Sequence, residues 1–153
     1  WTFERKEKAK AAGLTQSEVI TLASIVDEET SNVAEMPKIA GMYINRLHIN
    51  MPLQADPTIK FATKNFTAHR IYQKWLTIDN PYNTYKYRGL PPGPIRIPSV
   101  AAINAVLNYV HHDYIYMCAK EDFSGTHNFA KTYQEHQENA AKYAKALNER
   151  GIK

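Results

Sequence analysis

The chain has 153 residues, 44% hydrophobic and 22% charged, with a formal charge of +4. That length suits one domain with a sizeable core, and the hydrophobic share is too high for a disordered chain. The charge excludes a strong nucleic-acid signature, because Lys and Arg gather in Arg5-Lys6-Glu7-Lys8-Ala9-Lys10 and near the C-terminus, as on exposed helix faces; a polyanionic envelope polymer would suit it equally.

The chain opens on Trp1-Thr2-Phe3 without Met, so it is read as one domain over 1–153 within a longer or processed protein. No apolar run in it approaches the ~20 residues of a membrane span, and no signal peptide is visible. Residues 1–12 form a predicted basic helix with Gly13 as its C′ residue. Thr15-Gln16-Ser17-Glu18 reads as a capping box opening a helix to about Thr30. After a turn at Ser31-Asn32, a third helix is expected over 35–48, with Pro37 tolerated in its first turn. Its apolar stripe, Met36, Ile39, Ala40, Tyr43 and Leu47, is assigned to the core. Between residues 49 and 98 the periodicity breaks down, apart from a short helix expected around 69–75. The prolines, glycines and tyrosines there predict a long ordered loop that lines a cleft. Ser99 caps a fourth helix to about Val110. Residues 114–119 and 125–130 read as a hairpin around Glu121-Asp122-Phe123-Ser124. Thr132-Tyr133-Gln134-Glu135 is a second capping box, opening a last helix to about Asn148. The expected fold class is α+β, helices packed around a small antiparallel sheet.

Within the second helix, Leu22-Ala23-Ser24-Ile25-Val26 runs into Asp27-Glu28-Glu29-Thr30. Leu22, Ile25 and Val26 share one face, and Glu29 lies four positions after Ile25, extending it. Glu28 follows Ser17, Thr21 and Ser24 on the polar side, while Asp27 sits at the margin. Glu29 is therefore the acid expected against the core. Burial disfavours the charged form of a carboxyl, and a helix C-terminus pushes the same way. A carboxyl kept protonated near pH 7 is what a general acid requires. The alternative is three surface acids at a frayed helix end.

Other chemistries find little support. There is no Gly-rich phosphate loop, no Gly-x-Ser-x-Gly elbow and no His-Glu-x-x-His. His111-His112-Asp113 could bind a metal, but adjacent histidines point apart on a helix, and a solvated helix end is preferred. No metal and no cofactor is expected. His127 and His136 flank the return strand and the second capping box and could serve as hydrogen-bond partners, His127 facing substrate. Cys118, the single cysteine, excludes an internal disulfide and reads as an inert thiol. Asp56 is the next acid of interest, either a second carboxylate or, because it precedes Pro57, an Asx-turn former.

Several motifs appear in order: Leu22-Ala-Ser-Ile-Val-Asp-Glu-Glu-Thr30, Ile44-Asn-Arg-Leu47, Leu53-Gln-Ala-Asp-Pro-Thr58, Tyr82-Asn-Thr-Tyr85, Gly89-Leu-Pro-Pro-Gly93 and Gly125-Thr-His-Asn-Phe129, the last followed by Thr132 and Glu135-His136. From about Leu14 onward the chain resembles the catalytic domain of the MltG (YceG-like) endolytic murein transglycosylases. The resemblance implies an envelope enzyme that cleaves nascent peptidoglycan glycan strands, anchored in the cytoplasmic membrane with its catalytic domain outside. It also implies a LysM-like segment and a transmembrane helix upstream, and wall-synthesis enzymes as partners. It places the catalytic glutamate at Glu29, the residue that the helical-face argument reaches separately. The family's Glu-Lys-Glu-Thr stands here as Asp27-Glu28-Glu29-Thr30, so like-charge neighbours are expected to raise the pKa of Glu29 further. Gln54, Asp56, Thr58, Asn83, Thr84 and Tyr85 fall in the family's other motifs and are assigned to sugar binding or to orienting Glu29.

The leading expectation is a lytic transglycosylase acting on the MurNAc–GlcNAc β-1,4 bond. A two-carboxylate hydrolase using Glu29 and Asp56 is the first alternative. A non-catalytic peptidoglycan-binding module is the second.

Overall fold

Most helix starts among the described residues follow from single side chains that satisfy the free N–H groups of a first turn. The structure, a computed structural model, describes residues 1–64 and 73–151. Thr2 caps α1 (Phe3–Ala11) by accepting from Arg5 N, and Gly13 follows at φ +76°. Thr15 and Glu18 form the full reciprocal capping box of α2 (Gln16–Glu29). Helix α3 (Met36–His48) has no side-chain cap and carries Pro37 in its first turn. Ser99 caps α5 (Val100–Leu107). Thr132 caps α6 (Tyr133–Glu149) by accepting from Glu135 N, but the Glu135 carboxylate takes the Thr132 hydroxyl. That box is therefore half of what the motif predicts.

Two expectations change in the middle of the chain. The segment read as a long ordered loop contains α4 (Asp56–Thr63), with Pro57 in its first turn, where a missing N–H does no harm. Of the short helix expected around 69–75, a 3₁₀ turn at Gln73–Trp75 is present, and residues 69–72 lie outside the described residues. Helix α5 also stops at Leu107, short of Val110. The strands are β1 (Tyr116–Ala119) and β2 (His127–Ala130), antiparallel with Tyr116 opposite Ala130 and Ala119 opposite His127.

The fold is α+β, but its core is helical. Helices α2, α3 and α5 bury Leu22, Ile25, Val26, Ile39, Ile44 and Val106 among themselves. The hairpin lies to one side, against α6, with Met117 and Phe129 touching the helical core. What ties the two halves together is the segment after α5, which runs along α3. Val110 N donates to Pro37 O at 3.0 Å, and His112 Nε2 lies 2.8 Å from Lys38 O. Asn45 Nδ2 donates to the carbonyls of His112 (2.7 Å) and Tyr114 (2.9 Å). Gly41 permits this approach, since a Cβ there would stand 2.2 Å from Val110 O. No helix among the described residues is long and apolar enough to cross a membrane.

Candidate active site

Glu29 is the last residue of α2, and Thr30 leaves the helix in an extended conformation. Leu22, Ile25 and Val26 of the same helix are fully buried. The carboxyl of Glu29 continues their face and emerges into a cleft of about 350 Å³. Surrounded by protein on its other sides, it has its pKa pushed up to about 8, by burial first and then by the charge of Asp56. Its sequence neighbours contribute differently from expectation. Glu28 is exposed and pairs with Arg96 Nη1 at 2.9 Å, while Asp27 accepts from Ser99 N at 2.8 Å at the start of α5. The like charge that acts on Glu29 therefore faces it from another element.

Helix α3 supplies two residues to the same cleft. Tyr43, 2% exposed, donates its hydroxyl to Glu29 Oε1 at 2.8 Å. Burial and the adjacent carboxylate hold the Tyr43 pKa well above its ordinary value, so it remains a donor. One turn on, buried Arg46 donates to Ile115 O (2.6 Å), Pro52 O (3.0 Å) and Leu53 O (2.9 Å). It clamps the approach to β1 and the approach to α4 onto the same helix, and so sets the cleft's width.

The motif residues of the middle segment divide into two groups. Gln54, Asp56 and Tyr85 line the cleft. Gln54 is exposed and held at φ +49°, a left-handed conformation that costs a non-glycine residue about 1 kcal/mol. Asp56 accepts the Tyr85 hydroxyl at 2.6 Å instead of closing an Asx-turn. Burial raises the Asp56 pKa, while the Tyr85 bond and Lys60 oppose that shift. Asp56 is exposed at the cleft edge, so water moderates the effect of burial, and it is the more readily ionised of the two acids. Thr58, Asn83 and Thr84, expected to bind sugar or to orient Glu29, stand behind the cleft wall. All three are buried and are not among the cleft-lining residues. Thr84 Oγ1 accepts from Ala55 N at 2.9 Å and lies 2.8 Å from Thr58 Oγ1, which donates to Ala55 O. Asn83 Nδ2 donates to the carbonyls of Leu76 and Ile78, and its Oδ1 accepts from Tyr85 N. These three brace the segment that carries Asp56 and Tyr85. The cleft takes only part of its wall from the Tyr-rich stretch: Tyr82 packs on Phe61, and the Tyr87 hydroxyl donates to Asp79 Oδ1.

The facing wall comes from the hairpin and α6. His127 lines the cleft, its Nδ1 bonded to Glu35 Oε1 and its backbone N–H to Glu35 Oε2 at 3.1 Å. His136 stacks on Tyr116, with ring centroids 5.0 Å apart, and its Nδ1 is buried without a hydrogen-bond partner among the described residues. Burial and Arg46 lower its pKa, keeping the ring neutral. Cys118 is half-buried beside the cleft, with burial pushing its thiol up and away from reactivity. His112, expected at a solvated helix end, lies past α5 with both ring nitrogens against α3 and the following backbone. Among the described residues no group of three or more His, Cys, Asp or Glu side chains could hold a metal ion.

The model of the YceG-like family matches residues 1–142. The chain belongs to the YceG-like family. The match takes in α1, which the motifs from Leu14 onward did not reach. An endolytic murein transglycosylase of Bacillus subtilis is 39% identical over 145 residues, covering 95% of this chain and 39% of that protein. One from Streptococcus pneumoniae is 34% identical over 138 residues, covering 88% of this chain and 25% of its own length. A crystal structure of a yceG-like protein from Listeria monocytogenes superposes with a TM-score of 0.78 at 32% identity, over 88% of this chain and 43% of that one. The YceG-like chain thus spans between 25% and 43% of the length of these relatives.

Two cleft residues of this YceG-like chain carried no functional assignment in the sequence. Tyr43 sits correctly on the apolar stripe of α3, but its partner lies on another helix. Arg46 stands inside Ile44-Asn-Arg-Leu47, and a lone arginine among apolar residues was the available signal.

Proposed function

We propose that this chain is the catalytic domain of a peptidoglycan lytic transglycosylase that cleaves the MurNAc–GlcNAc β-1,4 bond. The observation that carries the reading is Glu29, a carboxyl at the wall of a cleft whose pKa of about 8 keeps it protonated at neutral pH. The names of the relatives from Bacillus subtilis and Streptococcus pneumoniae supply the substrate class. The cell envelope is the corresponding place of action, with glycan strands as the partner. In the same reading the parent protein is membrane-anchored and ends nascent strands beside wall-synthesis enzymes.

In the reaction Glu29 gives its proton to the glycosidic oxygen as the bond to the MurNAc anomeric carbon breaks. Positive charge develops on that carbon and the ring oxygen, and ionised Asp56, which lines the same cleft, stabilises it. The MurNAc C6 hydroxyl attacks the anomeric carbon and passes its proton to the Glu29 carboxylate. A 1,6-anhydro ring closes, Glu29 is protonated again, and no water is consumed. The nucleophile is tethered to the reacting ring, so one carboxyl can act first as acid and then as base. In this reading Gln54, Tyr85 and His127, which line the cleft, contact sugar, while Thr58, Asn83 and Thr84 brace the segment behind Gln54 and Tyr85.

A hydrolase reading also has an observation behind it, since Asp56 is close enough to raise the pKa of Glu29. Mass spectrometry of murein strands cleaved in ¹⁸O-labelled water separates the two. Transglycosylation gives fragments ending in 1,6-anhydroMurNAc, lighter by one water and free of label, and Glu29→Gln slows their release by about 10²–10⁴-fold. Labelled reducing ends would replace this proposal with the two-carboxylate mechanism. Strand binding without cleavage would leave a binding module.

A further inference from the structure

Glu29 borders two hollows. Beyond the main cleft, a second cavity of about 230 Å³ opens between the β1–β2 turn and α6. Both are lined by Glu29, Ala119, His127 and Tyr143. The acid therefore stands where two cavities meet and not at the end of a blind pocket.

The second cavity carries an aromatic residue in a costly place. Phe123 lies at its wall with φ +57°, in the left-handed region. That conformation costs a bulky side chain about 1–2 kcal/mol, which Gly or Asn would largely avoid. The turn has other supports: Phe123 N donates to Lys120 O at 3.2 Å, Ser124 N to Asp122 Oδ1 at 3.0 Å, and the Ser124 and Thr126 hydroxyls lie 2.7 Å apart. Closing the turn does not require a phenyl ring. The ring instead lies 5.8 Å from that of Tyr143, with the Arg150 guanidinium 4.3 Å from its centroid. So braced, Phe123 remains partly exposed to the cavity. A rigid aromatic surface of this kind receives the C–H face of a pyranose. Half-buried Lys120 lines the same cavity and brings a cation to it.

We propose that this cavity is a second saccharide subsite, across Glu29 from the main cleft, where a carboxylate-bearing pyranose stacks on Phe123 and pairs with Lys120. A muramic-acid unit, with its lactyl group or peptide stem, has that chemistry. The inference rests on the glycan-cleaving reading above and deepens it. A strand filling both cavities passes over Glu29 and is cut within its length.

The test uses the whole chain in a Glu29→Gln background, titrated calorimetrically with a murein hexasaccharide carrying free lactyl carboxylates and with chitin hexasaccharide, which has none. Phe123→Asn keeps a residue tolerant of the left-handed turn and removes the ring. It should weaken both ligands by about tenfold while the melting temperature stays level or rises. Lys120→Gln should weaken the murein hexasaccharide several-fold and leave chitin binding unchanged. Hexasaccharide affinity within about twofold of the parent in Phe123→Asn overturns the subsite, as does an equal loss for both ligands in Lys120→Gln. Cleavage by the unsubstituted chain is measured in parallel. Intact cleavage with unchanged affinities rejects the subsite alone, and absent cleavage with these affinity losses rejects the activity while supporting the subsite.

Discussion

The Tyr43 hydroxyl donates to Glu29 Oε1 at 2.8 Å, joining two helices across fourteen positions of sequence. With Oε1 occupied as an acceptor, the transferable proton falls to Oε2. The bond also works against the burial that raises the Glu29 pKa, which still reaches about 8. Catalysis that needs this proton is expected to hold up through neutral pH, with kcat/KM falling as pH rises through about 8. Glu29→Gln keeps the shape without the proton and should lower the rate by about 10²–10⁴-fold. Glu28→Gln, on the exposed pair with Arg96, should be nearly silent. Equal losses in the two variants would refute the assignment.

Two neighbours pull the same titration in opposite directions. Asp56 raises the Glu29 pKa through its charge, and the Tyr43 hydrogen bond lowers it. The alkaline limb of kcat/KM should therefore move to lower pH in Asp56→Asn and to higher pH in Tyr43→Phe. Both variants should still yield anhydro products. Limbs that move together, or stay fixed in both, would show that another group sets the profile.

Stability should carry the same signature. Glu29 has a folded pKa of about 8 against an ordinary value of 4.5, so the folded state holds the extra proton between those values. Unfolding then becomes easier as pH rises across that window, because a charge must be kept buried. Glu29→Gln removes the charge and should match the parent near pH 4.5 but exceed it above pH 8, by up to a few kcal/mol. Denaturant unfolding at several pH values measures the gap. A gap that does not grow with pH would mean that Glu29 ionises freely.

Glu29 was legible because helical spacing is a local property: Leu22, Ile25 and Val26 fix a face, and the acid falls on it. The source of its charge perturbation was not, because Asp56 reaches it from another element while Asp27 and Glu28 turn to Ser99 and Arg96. Helix α4 is not legible in the sequence because its eight residues span barely two turns and include Pro57. Thr58, Asn83 and Thr84 look like sugar ligands by residue type, and only their backbone partners reveal braces. The capping residues of α2 and α5 could be read from the sequence because each bonds within its own first turn.

Arg46 offers the sharpest separation of architecture from electrostatics. It is 5% exposed and gives hydrogen bonds to Ile115 O, Pro52 O and Leu53 O, so its removal orphans three carbonyls beside the cleft. Arg46→Met, which keeps much of the volume, should destabilise by about 3 kcal/mol or more. For a domain of this size that lowers the melting temperature by roughly 10 °C. Arg46→Lys retains the charge but not the planar fork, and it should lose nearly as much stability. The two part company in the pH profile. Arg46 lowers the Glu29 pKa by its charge, so the alkaline limb should rise in Met and stay near the parent in Lys. Measured on the folded fraction at low temperature, equal limb shifts in both variants would mean that Arg46 acts on Glu29 by holding the cleft walls together and not through its charge.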